Sequence, residues 1–272
     1  MTFAGHRARK RFGQHWLVDE AILDRIIAAA GLTADDQVLE IGPGRGALTR
    51  RLLESPLARL VAIELDRDLV AGLGQRFGTD PRFQLIEGDV LAVDLPAFDP
   101  EHPAKVVANI PYNITGPLLE RLVGRLDAPA PLHYSRLVLL VQREIGERIR
   151  ALPGSSAYSA LSVRMQLLCR AAVVCEVPPR CFAPPPRVMS EVIVLEPLPE
   201  AERPPLPLAG VLERLLRHVF ASRRKMLRNS LTGFGQVAEP QRLAGRLGLD
   251  LSRRPQELSP AEWLALAREL AG

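Results

Sequence analysis

The stretch Gln37 to Thr49, QVLEIGPGRGALT, restricts the fold of this chain more than any other. Val38, Leu39 and Ile41 read as a short strand directed at a core, Gly42, Gly44 and Gly46 as a turn, and Ala47 to Leu53 as the start of a helix. Strand, glycine turn and helix compose the nucleotide-binding half of a βαβ unit. The glycines let the backbone reach φ > 0 and approach a ligand closely, and the helix N-terminus favours a polar or anionic group. The next strand, Arg59 to Ile63, ends in Glu64, 22 positions beyond Gly42. A carboxylate there can accept both hydroxyls of a ribose.

The wording of the turn separates two classes of nucleoside cofactor. A dinucleotide site reads G-x-G-x-x-G, whereas here the pattern is Glu40-x-Gly42-x-Gly44-x-Gly46 with Pro43 inside the turn. An acid just before the turn would repel a pyrophosphate but suits a ligand carrying an ammonium and a sulfonium. The expected cofactor is S-adenosylmethionine rather than NAD.

The remaining strands extend this half into a doubly wound sheet. Phe83, Leu85 and Ile86 form a third strand ending at Glu87-Gly88-Asp89, where Asp89 can accept from an adenine amino group and Glu87 reads as a solvated neighbour. Ala104 to Ala108 is a fourth strand and Val138 to Val141 a fifth, apolar enough for the centre of a covered sheet. Ala172 to Val177 and Val188 to Leu195, separated by a proline-rich loop, read as a closing hairpin. Asp19 caps a helix carrying Ile22, Leu23, Ile26 and Ile27, closed by Gly31, and Asp66 to Phe77 reads as a helix behind the second strand. From Pro197 to Pro207 five prolines suggest a stiff linker, and beyond it no strand is expected. Leu212, Leu215, Leu216, Val219 and Phe220 mark an amphipathic helix, and Ser259, Pro260 and Glu262 start the last one as a capping box. The expected fold is α/β, a Rossmann-like class I methyltransferase sheet with helices on both faces, plus a small C-terminal all-helical domain. Residues 1–200 form the first domain, with a basic N-terminal arm, and 201–272 the second.

Composition narrows the partners. The net charge is +4, and of 35 basic residues only Lys10, Lys105 and Lys225 are lysines. The arginine fork suits phosphates, although an arginine-biased proteome would give the same composition. Cys169, Cys175 and Cys181 lack C-x-x-C spacing, which points to reduced thiols in the cytoplasm and away from a zinc knuckle. No 18-residue apolar run or secretory h-region is present, so neither a membrane span nor a signal is expected. The five histidines are scattered, and no metal site or Ser/His/Asp arrangement is expected.

The reaction chemistry is carried by Asn109-Ile110-Pro111-Tyr112. Methyl transfer from a sulfonium to an exocyclic amine is an in-line displacement with a good leaving group, so the protein mainly places the nitrogen. The lone pair of an aryl amine is delocalised into the ring. Acceptors at its two hydrogens therefore favour the developing tetrahedral nitrogen more than the ground state. The Asn109 side-chain oxygen can accept one hydrogen and the Ile110 carbonyl the other, while Pro111 stiffens the turn. Tyr112 offers a ring for a base lifted out of its loop, and Phe182, among prolines, is the candidate for a second wall.

With these residues in hand, the chain resembles the ribosomal RNA adenine dimethyltransferases. The matching segments include RFGQHWL at 11–17, LEIGPGRGALT at 39–49, EGDVL at 87–91, NIPYNIT at 109–115, YSALSVRMQ at 158–166, CFAPPPRVMS at 181–190 and SRRKMLRNSL at 222–231. The resemblance implies dimethylation of N6 of two adjacent adenosines in the 3′-terminal hairpin loop of 16S rRNA. Its partner would be that RNA in the small subunit or its precursor, acted on by a monomer. It further implies that His15, Leu17 and Gly42 contact the cofactor, Glu64 the ribose and Asp89 the adenine, and that Asn109 is shared by cofactor and target. Trp16 stands where the family more often has Phe, and His15 where many members have Asn. Two alternatives share the cofactor half: a 23S rRNA adenine N6-methyltransferase of the macrolide-resistance type, and an RNA-binding assembly factor. YSALSV and RRKMLRNSL look more like the small-subunit group, and Asn109 and Glu64 are both intact.

Overall fold

In the computed structural model, which describes residues 15–99, 102–131, 133–234 and 240–271, the chain opens with the two-residue strand β1, Trp16–Leu17, and the helix α1, Glu20–Ala30. The basic arm and Phe12 lie outside the described residues. The Asp19 carboxylate accepts from the Ile22 amide at 3.1 Å, satisfying one of the donors that a helix leaves free in its first turn. Gly31 closes α1 in the left-handed region.

The alternation of β2 (Gln37–Ile41), α2 (Ala47–Glu54), β3 (Arg59–Glu64), α3 (Arg67–Phe77), β4 (Phe83–Glu87) and β5 (Ala104–Asn109) builds the first half of a sheet. β2 pairs in parallel with both β3 and β5, and β3 with β4. The chain thus leaves β2 on one side for β3 and β4 and returns on the other at β5. That reversal opens a crevice at the carboxyl ends of β2 and β5, where open α/β sheets bind ligands.

A 3-10 turn at Tyr112–Ile114 leads into α4 (Thr115–Val123), then β6 (Tyr134–Gln142), α5 (Arg143–Arg150), α6 (Ala160–Leu168) and β7 (Cys169–Val177). β8 (Phe182–Ala183) pairs antiparallel with β1, matching Leu17 to Phe182 and Trp16 to Ala183. β9 (Ser190–Pro197) runs antiparallel to β6. The seven-stranded order is β4-β3-β2-β5-β6-β9-β7, so the two late strands do lie side by side at one edge.

Side chains alternate across the sheet. Val38, Leu60, Val107, Val138 and Val192 share one buried cluster with Ile22, Leu23 and Ile26 of α1 and Leu48 and Leu52 of α2. Leu39, Ile41, Val61 and Ile63, equally buried, point the other way.

By packing, the chain falls into two compact units. The first comprises residues 1–122, 131–146 and 172–197, and the second 123–130, 147–171 and 198–272. The second contains α7 (Leu206–Phe220), α8 (Leu227–Ser230), α9 (Pro240–Leu247) and α10 (Pro260–Ala271). Leu212, Leu215, Leu216 and Val219 of α7 are buried, as are Trp263, Leu266 and Ala267 of α10, and the Phe220 and Trp263 rings meet at 5.7 Å. Glu213, buried on α7, is matched by a two-pronged contact from Arg164 of α6 at 2.9 and 2.6 Å, the geometry a buried carboxylate requires. The capping box of α10 forms: Glu262 accepts from the Ser259 amide at 2.8 Å and Ser259 Oγ accepts from the Glu262 amide at 3.2 Å.

Several sequence expectations shift. β6 begins at Tyr134 rather than Val138, because Ser135 and Arg136 mask a stretch already paired with β5. Pro197 belongs to β9 and Pro207 to the first turn of α7, which shortens the proline linker.

Candidate active site

The carboxyl ends of β2, β3, β4 and β5 surround a cavity of about 210 Å³ within the first unit. Its floor is the glycine turn. Gly44 takes φ 60, and a Cβ there would come within 2.9 Å of the Trp16 ring, so both backbone conformation and space demand glycine. Trp16 lines the cavity in turn, with the Arg45 guanidinium 3.9 Å over its ring.

Glu64 stands at the end of β3 with a fixed carboxylate. Oε2 accepts from the Gly44 amide at 3.0 Å and Oε1 from the Asp66 amide at 2.9 Å. Burial raises its pKa above the usual carboxylate value, and the two amides oppose that shift. Each oxygen still has a lone pair for a ligand hydroxyl, because an ionised carboxylate accepts at about four sites. Asp89, in the loop after β4, is exposed and uses Oδ1 for the Leu91 amide at 2.9 Å. Glu87 pairs instead with Arg67 at 2.6 Å and is not part of the lining.

Glu40 overturns the electrostatic argument drawn from the turn. Being on the α1/α2 side of β2, it meets α2: Thr49 Oγ1 donates to its Oε2 at 2.7 Å, and the residue is 1 % exposed. Burial, with a smaller contribution from the Glu64 charge, pushes its pKa up to about 8. It is a largely neutral acid behind the turn, not a charge on the cavity wall.

Beyond β5 the chain turns through Asn109, Ile110, Pro111 and Tyr112, all on the cavity. Asn109 Nδ2 donates to the His15 carbonyl at 2.9 Å. A carbonyl only accepts, so the amide orientation is settled and Oδ1 is the atom left to accept. His15 itself is held by Nδ1 at 2.8 Å from the Pro184 carbonyl, which places a proton on Nδ1 because a carbonyl only accepts. Its imidazole stacks with Tyr112 at 5.7 Å between centroids.

Of the residues singled out in the sequence, His15, Gly42, Glu64, Asp89, Asn109, Ile110, Pro111 and Tyr112 meet at this cavity. Leu17 and Phe182 do not. They face each other across β1 and β8, 4 % and 3 % exposed, inside the apolar cluster beneath α1. Sequence reasoning missed Trp16 and Leu65 as cavity walls and missed Ser190, whose Oγ lies 2.6 Å from the Tyr112 hydroxyl. The position of Leu65, next to Glu64 at a strand end, was the available signal for the second. Among the described residues no group of His, Cys, Asp and Glu is arranged to hold a metal ion, and no helix is long and apolar enough to cross a membrane.

A reversed parallel sheet with a glycine turn after β2, an acid closing β3 and an antiparallel edge is the Rossmann-like fold of the S-adenosylmethionine-dependent methyltransferases. A family model described as "Ribosomal RNA adenine dimethylase" matches residues 5–272, and the chain belongs to that family. It is similar to the "Ribosomal RNA small subunit methyltransferase A" of Synechococcus sp. (strain WH7803), 62% identical over 270 residues spanning 99% of this chain and 96% of that one. The protein of the same description from Synechococcus sp. (strain CC9605) is 63% identical over 273 residues, 99% and 98% of the two chains. Among solved structures, a dimethyladenosine transferase from Plasmodium falciparum superposes with TM-score 0.79 at 29% identity, covering 94% of this chain and 97% of that one. The 23S rRNA methyltransferase ErmE gives TM-score 0.72 at 25% identity, covering 94% and 100%.

Proposed function

We infer that this chain dimethylates N6 of two adjacent adenosines in the 3′-terminal hairpin loop of 16S rRNA during small-subunit biogenesis, in the cytoplasm and as a monomer. The small-subunit activity is favoured over the 23S one because the small-subunit relatives are 62% and 63% identical, against 25% for ErmE. S-adenosylmethionine, the cofactor of this reading, supplies an electrophilic methyl group. Glu64 offers fixed acceptors to the ribose hydroxyls, Asp89 an exposed oxygen to the adenine amino group, and Gly42 serves the methionine end, with His15 a further cofactor contact. Residues 1–200 serve the cofactor and residues 201–272 the RNA.

The observation that carries the chemistry is the lock on Asn109. With Nδ2 committed to His15, Oδ1 can accept from the target amine, and the neighbouring Ile110 carbonyl can accept from its other hydrogen. As the nitrogen lone pair forms the new N–C bond and the C–S bond breaks, the amine becomes cationic and both hydrogen bonds strengthen. One N–H proton then leaves to solvent. Tyr112 supports the ring of the base. The test is methyl mapping: labelled cofactor is incubated with small and large subunits from a strain lacking this protein. Label confined to the two adenosines of the small subunit supports the assignment, and label in 23S rRNA overturns it.

A further inference from the structure

Tyr112 is held at a point that the reaction itself does not require. Its hydroxyl lies 2.6 Å from Ser190 Oγ, the first residue of β9, which sits opposite Gln142 of β6 and is fully buried at 0 % exposure. β9 contributes nothing to the cavity wall. In the sheet it is separated from β5 by β6, and neighbouring strands are about 4.8 Å apart, so the tyrosine reaches from the loop after β5 across one strand to the next. Phenylalanine would present the same ring. A hydroxyl taken out of water is unfavourable unless it is paired, and the Ser190 hydroxyl is fully buried, so each of the two groups explains the other. Burial also raises the phenol pKa, which keeps the contact a neutral hydrogen bond. The His15 imidazole packs on the ring as well, so the side chain is fixed at its tip and over its plane. An aromatic χ2 is otherwise a broad, two-fold torsion.

We propose that Ser190 is a positioning residue for methyl transfer, fixing through the Tyr112 hydroxyl the plane on which the target adenine stacks. The adenine amine then meets the Asn109 and Ile110 oxygens in register. This rests on the reading of Tyr112 as the wall for the base. It also accounts for a tyrosine rather than a phenylalanine at the end of the tetrapeptide.

The test is a double-mutant cycle with single-turnover methylation of small-subunit particles at saturating enzyme, accompanied by cofactor titration and thermal unfolding. Ser190→Ala is expected to slow methylation by about three- to tenfold, the range of one neutral hydrogen bond, with cofactor affinity unchanged. Tyr112→Phe is expected to slow it by the same factor, and the double variant by no more than either single one. Losses that multiply in the double variant overturn the proposal, because a serine that merely supports β9 would act independently of the phenol. A wild-type rate for Ser190→Ala beside a crippled Tyr112→Ala overturns the role of Ser190 and leaves the base wall standing. A wild-type rate for Tyr112→Ala removes the base wall, and the role of Ser190 with it. If Ser190→Ala does not fold, Ser190→Cys, close in volume and a weaker hydrogen-bonding group, takes its place in the cycle.

Discussion

Truncation of Asn109 to alanine should separate catalysis from binding, because the proposed function gives the amide two roles of different kinds. Nδ2 ties the His15 carbonyl at 2.9 Å, and Oδ1 is the acceptor that the proposed function gives to the target amine. The lost tie is a neutral hydrogen bond of ~1 kcal/mol. It should appear as weaker cofactor binding, since His15 and Trp16 line the cavity. The lost acceptor faces a nitrogen that becomes cationic only in the transition state, and hydrogen bonds to charged groups are worth ~1.5–3 kcal/mol. At 1.36 kcal/mol per decade this is a rate loss of roughly 10- to 150-fold with saturating enzyme and cofactor. Particle affinity, spread over a wide surface, should hardly move. The two methylations should also respond differently. The unmodified amine presents two hydrogens to two acceptors, whereas the monomethylated amine has one, which the Ile110 carbonyl can still accept. The variant should therefore lose more on the first methyl than on the second, read by mass analysis of the digested RNA over a single turnover. An Asn109→Ala rate within twofold of wild type, with cofactor saturating, would show that the amine is activated elsewhere and that the tetrapeptide is a turn.

Glu64→Ala should weaken the cofactor by ~1.5–3 kcal/mol through loss of a charged acceptor, measured by calorimetric titration; an unchanged affinity removes Glu64 from the site. Glu40 titrates at about 8 in the folded protein, above the ~4.3 of an unfolded glutamate. The folded state thus binds more protons between those values, and stability should fall as pH rises through that window. Glu40→Gln should flatten the loss in thermal melts between about pH 5 and 8, and an unaltered slope would refute the assignment. Arg164→Met strands Glu213, 2 % exposed, and leaves it Arg217 at 3.7 Å. It should cost ~3 kcal/mol in chemical denaturation, near the low end for a broken buried pair, and a loss below ~1 kcal/mol would mean that Arg217 suffices. Replacing Arg223, Arg224, Lys225 and Arg228 together should weaken particle binding and flatten its salt dependence while sparing the cofactor; an unchanged salt slope would exclude this segment from the RNA contact.

The strands β2 to β5 were legible because each is a short apolar run stopped by a polar or glycine turn, and a parallel sheet writes that pattern strongly. The helices with chemical punctuation were legible for the same reason: Asp19 and Gly31 bound α1, and Ser259 with Glu262 begins α10. α9 escaped because Pro240–Leu247 is short and buries only Leu243 and Ala244 beyond its first proline. A two-residue strand such as β1 or β8 has no period to read at all, since its existence depends on a partner about 165 positions away.

That long-range pairing is also what the site turned on. Residues at strand ends can be assigned from the sequence, because topology alone carries Gly42, Glu64, Asp89 and Asn109 to one crevice. Which way a loop side chain faces is decided by contacts that no local pattern records. Phe182, an aromatic among prolines, reads as a free wall for a base until β8 pairs with β1. Alternation then sends its ring into the cluster with Leu17 and leaves Ala183 outward. The same pairing draws Trp16 over the glycine turn, and the adjoining His15 supplies the carbonyl that fixes the Asn109 amide. The aromatic loop therefore reaches the cavity through the backbone beside β1: Phe182 seats the strand, and the His15 carbonyl ahead of it orients the Asn109 amide, the acceptor in the proposed function.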